Sequence, residues 1–150
     1  MNKINLQHKT RARPGLSEKY WFENEKTGLK RTLFHRITIP LEPFDSGLEY
    51  EEQPVQTEIV IEWLDLRLSD PDDLDHLEIT GKQYKGAEAT VYVGCAHNIC
   101  RINKISFTKL DLNRYRLEGD LTVFFENEGV GLNEDFSFQT IMEHQSGVVE

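Results

Sequence analysis

The chain has 150 residues, 38% of them apolar and 10% aromatic, and a formal net charge of −9. That suffices for one domain with a core of its own, so folding requires neither disulfides nor a metal. The charge is uneven: residues 1–36 carry nine Lys or Arg against three acids, a net +6, whereas residues 37–150 carry eight against twenty-three, a net −15. So acidic a body disfavours nucleic acid, a polyanion, as a partner.

At the start of the chain, MNKINLQHKTRAR places charges where a secretory signal needs its apolar segment, and no apolar run is long enough to span a bilayer. A cytoplasmic protein with no membrane partner and two free thiols is the expectation. Lys9, Arg11 and Arg13 precede Pro14 and Gly15. Residues 1–14 therefore read as a flexible basic N-terminal arm ahead of a single β-rich domain over 15–150.

The next segment, KYWFENEKTGLK, holds two β-compatible runs around ENEKTG, where Gly28 can take the positive φ of a hairpin turn. In KRTLFHRITI, Leu29, Leu33, Ile37 and Ile39 alternate as on a strand, and His35 shares their face. A histidine there suits a hydrogen-bonded core position or a pocket lining better than a general base. Pro40 and Pro43 break the pattern before the acid-rich loop FDSGLEYEEQP. VQTEIVIEWLDLRL then carries Val55, Thr57, Ile59, Ile61 and Trp63 at odd positions but Leu64, Leu66 and Leu68 at even ones. This change of phase predicts a β-bulge near Trp63.

In SDPDDLDHL, Ser69 or Asp70 suits an N-cap and Pro71 a first helical position, which predicts one short helical turn. Asp70, Asp72, Asp73 and Asp75 fit that helix start better than a calcium loop, since the glycine and glutamate an EF-hand needs are missing.

GCAHNIC, residues 94–100, raises the question of a metal. Cys95, His97 and Cys100 are weak candidate ligands at unusual spacing, and a fourth would have to come from elsewhere. The bland reading has AHNI as a hairpin turn with His97 at its tip and both cysteines as flanking thiols, close enough for a disulfide under mild oxidation. Further strands follow in CRINKISFTKL, in RYRLEGDLTVFFE with Tyr115, Leu117, Leu121, Val123 and Phe125 on one face, and in DFSFQTIME. Gly119 interrupts the apolar face of its strand and signals a bend or a close approach. GVG at 129–131 has no helix after it and reads as a turn, not a phosphate loop. The last strand is apolar and poor in charge, so neighbouring strands or a homodimer must cover it.

Strands joined by short turns pair antiparallel, which predicts a mainly β fold: an antiparallel sandwich or barrel of about eight to ten strands with one short helical turn. The alternative is an α+β arrangement with one helix on an antiparallel sheet. No nucleophile elbow and no cofactor motif is present, and nothing favours an enzyme over a binding protein. The first expectation is a non-enzymatic, acidic protein-interaction module, of inhibitor or immunity type, for a basic protein surface, with Trp21 and Tyr50 as anchors. The second is a small-molecule-binding barrel, a carrier or an enzyme of unrecognised type, with His35, Tyr92 and Tyr115 inside it.

Overall fold

The structure, a computed structural model, describes residues 1–149. It contains α1 (Leu6–Lys9), β1 (Gly15–Asn24), β2 (Leu29–Pro40), β3 (Glu58–Leu64), β4 (Glu78–Ile79), β5 (Glu88–Val93), β6 (Ala96–Asp111), β7 (Arg114–Val123) and β8 (Glu134–Val149). Seven strands close into a barrel in the order β6-β5-β3-β2-β1-β8-β7, with β7 returning to β6 and β4 added alongside β6. The barrel expectation holds, with one correction: β1 and β8 run parallel. The reason is topological. Strand directions cannot alternate all the way round a ring with an odd number of members, so one pair must be parallel, and it falls between two strands distant in sequence.

Alternation places the core. On β7, Tyr115, Leu117 and Leu121 have no exposed surface, as predicted from their shared phase. Gly119 faces Phe138 across the β7–β8 ladder, and an added Cβ would lie 2.3 Å from the Phe138 ring. That is the close approach expected of it. The bulge at Trp63 is also present: His35 pairs with Leu64 and Ile37 with Ile61, so β3 carries one residue more than β2. Trp63 itself has φ 61°, a left-handed conformation that strains a bulky side chain. By absorbing the extra residue it returns Leu64 and Leu66 to the core.

Three expectations are corrected. Residues 1–14 are packed against the barrel: Ile4 and Leu6 are buried, and the backbone N–H groups of Asn5 and Leu6 donate to the Glu134 carboxylate at 2.9 and 2.7 Å. The apolar residues among the charges were the overlooked signal. SDPDDLDHL forms turns in place of a helical one, because Asp70 and Asp73 accept from the N–H groups two residues on, at 3.0 and 3.1 Å. The β5–β6 turn is Gly94–Cys95, with φ 69° and 57°, and Val93 pairs with Ala96. Two left-handed residues make the tight hairpin turn that suits strand twist, and AHNI lies within β6.

Candidate functional site

At one end of the barrel the interior phase of three strands carries polar side chains. Ser17 and Lys19 come from β1, His35 from β2 and His144 from β8, all at most 4% exposed. The parallel register sets Ser17 directly beside His144. The loop over this end supplies Asp72, whose side chain is 41% exposed. His144 Nε2 lies 2.8 Å from Asp72 Oδ1, and His144 Nδ1 lies 3.0 Å from Ser17 Oγ. Lys19 pairs with the same carboxylate and donates to the Ser146 carbonyl at 2.9 Å. His35 Nε2 meets the Pro71 carbonyl at 2.9 Å, and the Tyr115 hydroxyl accepts from the Leu74 N–H and donates to the Asp72 carbonyl, both at 3.2 Å.

The electrostatics follow from burial and partners. Burial depresses the affinity of His35 for a proton, and His144 and Lys19 nearby act in the same sense against the opposing pull of the Pro71 carbonyl. Burial alone would raise the Asp72 carboxyl, but the hydrogen bonds from Lys19 and His144 outweigh it and bring it below its ordinary range. His35 Nδ1 is buried with no partner, which fits a neutral ring donating through Nε2.

Serine, histidine and aspartate in this order are the parts of a nucleophilic triad. Here the serine has 0% exposure, so no substrate can reach its hydroxyl. What the cluster does is hold residues 71–74 onto the barrel end through His35, Tyr115, Lys19 and His144. Ser17, Lys19 and His144 do not stand out in the sequence as site residues, and Asp72 does so only as part of a helix start. The available signal was phase: Lys19 shares the buried parity of Gly15 and Ser17, and His144 that of Phe136 and Met142.

The residues singled out from the sequence do not converge. His35 and Tyr115 are inside, as expected of them. Tyr92, expected there too, is 45% exposed on the outer face of β5 and packs on His97. Trp21 is half exposed with the Arg31 guanidinium 4.7 Å above its ring, and Tyr50 lies exposed in the loop before β3. Cys95 is exposed at the β5–β6 turn, His97 is exposed within β6, and Cys100 is buried beside Ala89. The three therefore share no site. Five residues of an extended strand, at about 3.3 Å each, also set Cys95 and Cys100 too far apart for a disulfide.

Two of the open grooves on the outside of the barrel bear on binding. One, of about 830 Å³, follows the outer face of β3 and β5 and includes Glu58, Val60, Glu62, Glu88, Thr90 and Tyr92. Glu62 and Glu88 are directly opposite in the ladder. Arg36 approaches Glu62 at 3.7 Å but is nearer Glu18, at 3.3 Å. The second groove, of about 970 Å³, lies beside the aromatic cluster of Phe22, Phe34 and Trp63. No helix among the described residues is long and apolar enough to cross a membrane. No family model, curated protein or solved structure matches the chain.

Proposed function

We propose that the protein is a non-enzymatic interaction module that docks a basic protein surface on the outer face of β3 and β5. The observation that carries this reading is the Glu62–Glu88 pair. Like charges directly opposite in a ladder destabilise the sheet, yet here both line one groove with Arg13, and among the described residues Glu62 has only the long contact to Arg36 while Glu88 makes no ion pair. A Lys or Arg from a partner would turn that repulsion into attraction. Tyr92, half exposed in the same groove, offers a rigid anchor whose ring can bury against the partner while its hydroxyl stays wet. Over longer range the chain's net charge of −9 draws cationic surfaces inward. An inhibitor of a basic enzyme has this requirement.

The filled interior supports this reading over a carrier, since Tyr115, Phe125 and Phe136 are at most 1% exposed and occupy the space a ligand would need. The test is capture from the native source at low salt by the wild-type protein and by a Glu62→Lys, Glu88→Lys variant, followed by measured affinity for whatever is retained. A basic protein held by the wild type, released as salt rises and lost to the variant is the expected result. A partner held equally by both proteins, or an acidic one, would overturn the reading.

A further inference from the structure

The barrel closes most of its strand edges. Beside β8, the Gln7 side chain acts as a short stretch of strand: Nε2 donates to the Ser137 carbonyl at 2.9 Å and Oε1 accepts from the Ser137 N–H at 2.7 Å. Beside β6, the Leu77 carbonyl accepts from Phe107 N–H at 2.9 Å and Asp75 accepts from Lys109 N–H at 2.9 Å. One edge is left. β1 pairs with β2 from residue 29 onward, whereas β3 reaches only residues 35–40. On the β3 side, residues 29–34 have no strand beside them among the described residues. That is roughly 20 Å of open edge at about 3.3 Å per residue.

The groove of about 970 Å³ runs along this edge. Leu29 and Phe34 of β2, Trp63 and Leu66 are apolar lining, and Asp65, Arg67, Lys85 and Glu88 are its charged lining. Trp63 meets Phe22, Phe34 and Tyr20 edge-on, with ring centroids 4.9, 5.4 and 5.7 Å apart. Two strained residues line it, Trp63 and Arg67, with φ 61° and 51°. Left-handed conformations at non-glycine residues concentrate at binding sites.

We propose that this groove receives an extended, acidic segment of a partner protein, added as a further strand on the open edge of β2. The edge supplies backbone donors and acceptors that only another backbone satisfies along its length, and a small apolar ligand would leave them unpaired. Alternate side chains of the added strand would enter the groove at Leu29 and Trp63. Charge selects the segment. Lys30 on the edge and Lys85 in the lining are exposed and make no ion pair among the described residues, whereas of the two lining acids Asp65 is paired with Arg67 at 3.1 Å and Glu88 alone sets a negative charge against them. A second copy would bring its own Lys30 and Arg31 to an edge that carries two cations and no acid over residues 29–34, an unfavourable gathering of like charge. Acids at the outward positions of the added strand would meet these cations instead.

The site shares only Glu88 with the acidic groove and is tested separately. A random library of heptapeptides is selected on the immobilised protein, and amide exchange of residues 29–34 is then followed with the strongest binder at saturation. Peptides alternating apolar and acidic residues, slowed exchange at 29–34, and at least about tenfold weaker binding to a Lys30→Glu, Lys85→Glu variant are the expected results. Methylating alternate backbone nitrogens of the peptide removes the added-strand bonds and should abolish binding. The single Glu62→Lys variant, altered only in the acidic groove, should bind the peptide as the wild type does. Basic or helical binders, no enrichment, unchanged exchange at 29–34, or slowing there that depends on protein concentration without peptide would each overturn the proposal, the last by assigning the edge to a second copy.

Discussion

Replacing Asp72 by Asn removes the counter-charge of an ammonium group that the barrel encloses. The Lys19 side chain is 5% exposed and that of Asp72 is 41% exposed, so the two ends of the pair differ in their access to water. Removing one partner of a fully buried pair costs about 3–5 kcal/mol, and the exposure of Asp72 lowers the expectation to about 2–3 kcal/mol. Lys19→Met is the asymmetric counterpart. It leaves Asp72 with water and with His144 at 2.8 Å, and methionine fills the channel of the lysine stem, so about 1 kcal/mol or less is expected. In the double variant the asparagine no longer faces a buried charge. Its stability should lie near that of Lys19→Met alone, an interaction energy of about 2 kcal/mol in the double-mutant cycle. Urea unfolding near neutral pH, followed by tryptophan fluorescence, supplies all four corners. Equal single-variant costs that simply add would refute the picture of an enclosed ammonium held by one carboxylate.

His35 makes stability depend on pH. Its folded-state proton affinity is depressed below the ordinary value of 6.5, so the unfolded chain binds the proton more readily, and stability is lost as pH falls through about 6.5 toward the folded pKa. The slope in that window is at most about 1.4 kcal/mol per pH unit from this group. His35→Gln, which can still donate to the Pro71 carbonyl, should flatten it, and an unchanged slope in urea titrations would assign the acid sensitivity elsewhere. Asp72, also depressed, contributes stability that is present above its ordinary value of 3.8 and lost below it as the carboxyl protonates; Asp72→Asn should remove that second, more acidic loss. Burial pushes the Cys100 thiol up to about 12, so alkylation of the native protein at mildly alkaline pH should add one label, at Cys95, and a second only after denaturation. Gly119→Ala brings a Cβ to 2.3 Å from the Phe138 ring and should cost about 1–3 kcal/mol, less in a Phe138→Leu background. Equal losses in both backgrounds would show that the ring is not the obstacle.

Much of the barrel was legible because one face of each strand is buried. The parity of Tyr115 through Val123 and the phase change after Ile61 are local facts, and each maps onto a buried face or a bulge in the structure. The turn at Gly94–Cys95 was misplaced because His97 and Asn98 look like turn residues. Asn98 is instead buried within β6, where its amide donates to the carbonyls of Val91, Val93 and Ala96. The aspartates at 70–75 signal side-chain-to-backbone bonding, a signal that helix caps and turns share. Tertiary partners decide between them, here Lys19, Tyr115 and His144. Ser17 and His144 lie 127 positions apart and become neighbours only through the parallel pair that closes the barrel, and nothing local in either strand encodes that pairing.

Both proposed binding faces depend on the bulge in β3. Glu62 enters the acidic groove and Trp63, its neighbour in sequence, enters the aromatic one. Consecutive residues of a regular strand point to opposite faces, so two outward neighbours followed by a buried Leu64 require the extra residue. The left-handed φ of 61° at Trp63 is what accommodates it. For an L-residue that conformation costs roughly 1–2 kcal/mol, and glycine avoids the cost. Glycine in an ordinary strand position is less stable than alanine by about 0.5–1 kcal/mol, so the order should invert here. Trp63→Gly is expected to be more stable than Trp63→Ala by about 1 kcal/mol in urea unfolding, although both lose the contacts to Phe22, Phe34 and Tyr20. Deleting the residue restores regular alternation with Ile61, Leu64 and Leu66 still inward and takes the Trp63 ring out of the aromatic groove; that variant should keep the β-sheet circular dichroism of the parent. An alanine variant as stable as the glycine one would show that the bulge does not rest on the backbone conformation at position 63, and the shared origin of the two faces would fall with it.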